Sequence, residues 1–275
     1  MDLSLAQIAL YVAALLLTGV AAGFIAGLLG VGGGIVIVPV LYLLFTALGV
    51  PETVRMHVAV GTSLSTIVFT SFASLRAHNR KGAVDWDLFK SWAPGIIVGV
   101  LLGTVIASFL SGRSLTAFFG IVAILAAGWM AFSPTDLKVF KGLPTGILKY
   151  IVTGGIGIVS ALMGIGGGTL SVPTMTLCGY PIHRAVGTAS AVGFLIGVPG
   201  TIGMIVGGWG EPGLPWGSLG YVSLIGLVLI LPTSMLLAPY GARAAHALPV
   251  RGLRIAFAVF LTATAIKMIS SLWTG

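Results

Sequence analysis

Gly27-Leu28-Leu29-Gly30-Val31-Gly32-Gly33-Gly34, followed by Pro39, and Gly164-Ile165-Gly166-Gly167-Gly168, followed by Pro173, decide the fold of this 275-residue chain. From Gly30 to Pro39 and from Gly164 to Pro173 the glycines and the proline recur at one offset of 134 residues. Working outward, Ala59-Val60-Gly61-Thr62-Ser63 answers to Ala185-Val186-Gly187-Thr188-Ala189, Trp86 to Trp216, Pro94 to Pro232, Gly103 to Gly241 and Arg113 to Arg251. The order is preserved throughout, which defines an internal repeat. One half runs from about 5 to 132 and the other from about 147 to 273, joined by a polar linker over 133–146, so residues 1–275 read as one integral domain.

Composition sets the medium. Hydrophobic residues make up 57% of the chain and charged residues 7%, far below the usual quarter for a soluble domain. The reading is an all-α polytopic membrane protein with ten apolar segments, at about 5–29, 35–49, 58–75, 88–110, 115–132, 147–164, 169–179, 186–207, 216–238 and 254–273. Ten spans of about 20 residues use roughly 200 residues, which excludes a sizeable catalytic domain outside the membrane. The formal charge of +8 sits mostly in short connections, where it reports topology rather than a nucleic-acid partner. Cys178 is the only cysteine, so an internal disulfide and any multi-cysteine metal site are excluded. The N-terminus has no basic region ahead of its apolar run and reads as a retained first helix rather than a signal peptide.

Five segments per half is an odd number. If all five cross, the second half enters the membrane from the opposite side, giving inverted-topology repeats of the kind found in secondary transporters. With ten crossings one side collects Arg76, Arg80, Lys81, Lys90, Lys138, Lys141, Lys149, Arg184, Arg243, Arg251 and Arg254, and the other Arg55, Arg113 and Lys267. With the two short segments re-entrant, the split is six to eight and carries no orientation signal. The charges therefore predict ten crossings, with both termini on the periplasmic face of an inner membrane.

A glycine triplet breaks a helix, and in hydrocarbon a broken helix survives only where protein or a water-filled cavity satisfies its backbone. After each break a short helix begins, at about Ile35 and about Thr169, and its free N–H groups and positive dipole end favour an anion. Gly30, Gly32, Gly33 and Gly34 in one half and Gly164, Gly166, Gly167 and Gly168 in the other are thus candidate substrate-binding residues. Thr62 and Ser63, with Thr188 and Ser190, start the segments that follow and are candidate hydroxyl donors to an oxyanion. The competing use of these glycines is close helix packing, and of these hydroxyls bonding to their own backbone. Neither cluster fits a dinucleotide or nucleotide loop.

Arg55, His57 and Lys267 are the candidates for a charge or proton role, although Arg55 and His57 stand where an interface is expected and Lys267 lies within two turns of Trp273, where snorkelling is expected. No Asp or Glu falls within an apolar span, so the intramembrane carboxylate typical of a proton-coupled carrier is missing. The histidines at 57, 78, 183 and 246 are too scattered for a metal motif, and no nucleophile–base pair is visible. An enzyme, a cofactor and a metal are accordingly not expected. The expected partners are a small anionic substrate and the lipid bilayer.

The stretch from Gly27 to Gly34 with Pro39, its counterpart from Gly164 to Gly168 with Pro173, and the two Ala-Val-Gly-Thr runs resemble the TauE/SafE family of sulfite and sulfonate exporters over nearly the whole chain. The resemblance implies inner-membrane export of a small sulfur-containing organic or inorganic anion, such as sulfite, sulfoacetate or a related sulfonate. An anion channel, or a carrier for another small oxyanion, is the alternative. One departure stands out: Ala189 replaces Ser63 in the second half, so the two half-sites contribute unequally.

Overall fold

The computed structural model describes residues 5–29, 33–132, 139–140, 142–244 and 250–274. They form α1 (Leu5–Leu29), α2 (Gly34–Ala47), α3 (Glu52–Arg80), α4 (Trp86–Phe109), α5 (Gly112–Phe132), α6 (Gly146–Met163), α7 (Gly167–Leu177), α8 (Ile182–Gly207), a hairpin of β1 (Ser218–Leu219) and β2 (Val222–Ser223), α9 (Leu224–Ala244) and α10 (Val250–Thr274). Helices dominate because an apolar medium offers the backbone no partner but itself. Helices α3, α4, α5, α6, α8 and the Leu224–Gly241 part of α9 are long and apolar enough to cross a bilayer. With 14 and 11 residues, α2 and α7 rise only about 21 and 16 Å, short of a hydrocarbon core about 30 Å thick.

The outer surface is apolar: Phe109, Phe132 and Ile147 are exposed, as suits a surface solvated by acyl chains. Between helices, where apolar burial supplies no drive against lipid, small residues allow close approach. Gly23 of α1 sits against the backbone of Ser234 on α9, and Gly157 of α6 against the backbones of Ile96 and Val100 on α4. The main interfaces join α1 to α9, α4 to α6, α3 to α8 and α5 to α10. Exchanging α1–α5 with α6–α10 converts this set into itself. Helices α3 and α8 cross at the centre, with Gly193, Gly197 and Gly200 of α8 against Ser71, Val68 and Leu64 of α3.

Two expectations need correction. The apolar run beginning at Trp216 does not start a helix there, because Pro215 and Gly220, the latter at φ 54°, turn the chain into the hairpin. Leu219 pairs with Val222 in antiparallel register, so a small β element interrupts the all-α pattern. Trp216 is exposed in this connection, whereas Trp86 opens α4, so the two tryptophans are not equivalent. Three pairs keep their place in the helix: Pro94 and Pro232 are each the ninth residue of α4 and α9, Gly103 and Gly241 each the eighteenth, and Arg113 and Arg251 each the second of α5 and α10, whereas Ala59 is the eighth residue of α3 and Ala185 the fourth of α8.

Candidate functional site

The glycine clusters meet at the boundary between the halves. Gly30 and Gly32 lie outside the described residues. Gly33 caps α2, its carbonyl accepting from the Val36 and Ile37 amides at 3.0 and 3.1 Å. Gly34 opens α2 and is buried; a methyl group there would collide with the Gly164 carbonyl oxygen and lie 3.0 Å from Ser63 Oγ. Close approach between the start of α2 and the end of α6 is what requires glycine at this position.

Gly164 terminates α6 in the left-handed conformation (φ 65°, ψ 33°). Its amide and that of Ile165 both donate to the Ser160 carbonyl, which closes the last turn. The Gly164 carbonyl receives the Ser63 hydroxyl at 2.6 Å. Gly166 then caps α7 in an extended conformation, and Gly167 and Gly168 form its buried first turn. Gly167 lies against α8, where a methyl group would stand 2.6 Å from the Gly193 nitrogen.

Neither α2 nor α7 has a side-chain cap, and both begin at buried glycines. The first N–H groups of a helix have no acceptor within it, and a buried helix start normally acquires one from a capping side chain, water or a ligand. Two such starts, each with the positive end of a helix dipole, make a region suited to negative charge. Ser63 occupies the Gly164 carbonyl, the acceptor against which Gly34 packs.

The paired threonines serve the scaffold. Thr62 Oγ1 accepts from the Ser223 amide at 2.9 Å, and Thr188 Oγ1 from the Asp85 amide at 2.9 Å. Asp85 and Ser223 in turn cap α4 and α9, accepting from the Leu88 and Gly226 amides at 3.0 and 3.2 Å. Thr62 and Thr188 are fully buried and each retains a hydroxyl hydrogen as a donor. Ser190 instead bonds back to the Gly187 carbonyl at 2.6 Å.

Two hydroxyls absent from the sequence reading stand beside the second cluster. Ser160 in the last turn of α6 and Ser171 in the second turn of α7 are fully buried, and neither Oγ has a hydrogen-bond partner. Ser160 precedes Gly164 by four residues and Ser171 follows Gly167 by four, the latter two sharing one face of α7. That symmetrical spacing was the available signal.

The charged candidates lie elsewhere. Arg55 donates from Nε and Nη2 to the Val50 carbonyl at 3.1 and 2.8 Å and covers the Tyr42 ring, which ties α3 to the end of α2. His57 is buried, with Nε2 3.0 Å from the Ala107 carbonyl and its ring stacked on Tyr221 at 4.7 Å; its Nδ1 has no partner. Lys267 occupies the exposed face of α10. At the opposite end of α3 from His57, Asp85 pairs with Arg184 at 3.0 Å and accepts from the Tyr180 hydroxyl. The Leu88 amide, the Tyr180 hydroxyl and the Arg184 guanidinium hold the Asp85 carboxyl below the usual carboxylate range. Burial and the Asp85 carboxylate push the Tyr180 phenol up to about 12.

Comparison with known proteins agrees with this architecture. The family model described as "Sulfite exporter TauE/SafE" matches residues 15–268. A probable membrane transporter protein of Haemophilus influenzae is 38% identical over 253 residues, covering 92% of this chain and 96% of the relative. One from Methanocaldococcus jannaschii is 32% identical, covering 79% and 80%, and YunE of Bacillus subtilis, of the same description, is 31% identical, covering 70% and 78%. No solved structure matches. The chain belongs to the TauE/SafE sulfite exporter family and is a multi-pass membrane transporter.

Proposed function

We propose that the protein exports a small sulfur-containing anion, sulfite, sulfoacetate or a related sulfonate, across an inner membrane by alternating access. The observation that carries this reading is the pair of buried, uncapped helix starts at Gly33–Gly34 and Gly166–Gly168, the first packed against the Gly164 carbonyl two residues before the second. Their free amides bind the anion, and the Ser160 and Ser171 hydroxyls add neutral donors from the second half. Neutral donors suit a carrier, because a buried arginine would hold its cargo with a strength that hinders release.

The proposed topology is two inverted five-helix repeats with ten crossings and periplasmic termini. Contacts between connections support it. Were α2 and α7 re-entrant, the 81–85 connection and the α7–α8 corner would lie on opposite faces, yet Asp85 pairs with Arg184. The Tyr11 hydroxyl, near the start of α1, likewise reaches the Ala47 carbonyl at the end of α2, at 3.4 Å. Packing that maps onto itself when the halves are exchanged is what rocking one repeat against the other needs.

No proton antiport is required. An anion leaving an inside-negative cell gains about 2.3 kcal/mol per charge per 100 mV, so a divalent anion gains roughly 4.6 kcal/mol. The test is labelled sulfite efflux from proteoliposomes under a potassium-valinomycin potential at equal pH. The expected result is flux that follows the potential and is accelerated by unlabelled sulfite on the far side. Flux that ignores the potential but follows a pH gradient would contradict it and direct attention to His57 and Lys267; flux without countertransport would identify a channel.

A further inference from the structure

Helices α4 and α6 run side by side in the same direction and leave a groove open to the surroundings, of about 500 Å³, lined by residues that include Pro94, Val98, Leu102, Ile151, Gly155 and Ile158. Its walls are almost wholly apolar. On α4, Lys90 stands one turn before Pro94 on the face that continues through Val98 and Leu102. On α6, Lys149 precedes the groove residue Tyr150, its ammonium 3.0 Å from Ser91 Oγ and 4.7 Å from the centre of the Tyr150 ring. Both lysines therefore crown one end of the groove.

Their charge lacks a counterpart. Arg184–Asp85 is the single ion pair among the described residues, so neither lysine has a carboxylate within pairing distance there; Asp87, one turn before Lys90, is the nearest acid in sequence on α4. Both also sit in the opening turns of their helices, where the dipole already places positive charge. An anion at this end relieves both. Below it, Pro94 to Leu102 offers about 12 Å of apolar wall.

We propose that this groove holds an anionic phospholipid, with one acyl chain along Val98, Leu102, Ile151 and Ile158 and the headgroup phosphate between Lys90 and Lys149. Basic sites between helices at the cytoplasmic surface select acidic lipids in this way. A second copy of the chain is the disfavoured occupant, because two-fold packing about the membrane normal would bring both lysines of each copy together.

The experiment is native mass spectrometry and thermal melting of the purified full chain in detergent with dioleoyl phosphatidylglycerol or dioleoyl phosphatidylcholine. Retention of the glycerol lipid is expected to exceed that of the choline lipid about tenfold, given two lysines at the headgroup. Lys90→Gln with Lys149→Gln should remove that preference while leaving the lipid-free melting temperature unchanged. Gly155 has open space where a side chain would extend, so Gly155→Leu fills the groove without a clash and should reduce retention of both lipids. Equal retention of the two lipids by the wild type, or retention indifferent to these variants, overturns the proposal. A lipid-free dimer abolished by Gly155→Leu also overturns it, and assigns the groove to self-association.

Discussion

The Ser63 hydroxyl donates to the Gly164 carbonyl oxygen at 2.6 Å, joining α3 of the first half to the end of α6 in the second. Ala189 occupies the corresponding place in the second half and has no hydroxyl to return the contact. The two helix breaks are therefore unequal: one has its nearby carbonyl neutralised by a side chain from the opposite repeat.

Ser63→Ala leaves that carbonyl buried without its partner. The expected cost is about 1–3 kcal/mol in stability, read as a lower melting temperature in detergent. Anion affinity should fall as well, because an unpaired carbonyl then faces the substrate region. An unchanged melting temperature would show the bond to be dispensable.

The Asp85–Tyr180–Arg184 cluster gives a pH signature. The folded carboxyl is held below its unfolded value, so its contribution is complete above about pH 4, where the unfolded carboxyl is ionised, and is lost as pH falls through the folded value. The phenol of Tyr180, pushed up to about 12, stays protonated as the donor throughout this range. Asp85→Asn can still cap α4 but loses the ion pair. Its melting temperature should lie below wild type by a constant margin from pH 5 to 8, and the gap should close in more acidic buffer. A gap that widens on acidification would refute the assignment.

A reporter placed in the 81–85 connection should register the cytoplasm, and one at the C-terminus the periplasm. The same side for both would contradict the inverted arrangement.

Periodicity and glycine spacing made most of the architecture legible. Each of the ten apolar segments overlaps one helix among the described residues, and both short helices begin within two residues of their expected starts. The hairpin was hidden because Trp216, Leu219 and Val222 read as apolar helix, while Pro215 and Gly220 act through local backbone geometry that hydrophobicity does not register. For the site, the glycine clusters and the paired threonines were visible as candidates, but nothing in the sequence reveals that the Thr62 and Thr188 oxygens receive the amides of Ser223 and Asp85. Ser160 and Ser171 were passed over for a related reason. A serine in an apolar helix ordinarily bonds to its own backbone, as Ser65 and Ser190 do, and only the folded arrangement separates the orphaned hydroxyl from the satisfied one.

Ser171 supplies the sharpest test of anion binding at the helix starts. A buried hydroxyl without a partner destabilises a fold, so Ser171→Ala should melt at the same temperature as wild type or higher when no anion is present. If that hydroxyl serves a bound anion, the same substitution should weaken equilibrium binding of sulfite or sulfoacetate to the purified protein by about tenfold, the loss of one hydrogen bond to a charged group. Retained stability with weakened binding is the result this account predicts. Unchanged binding of every anion that the wild type holds would contradict it and place the substrate away from the glycine breaks.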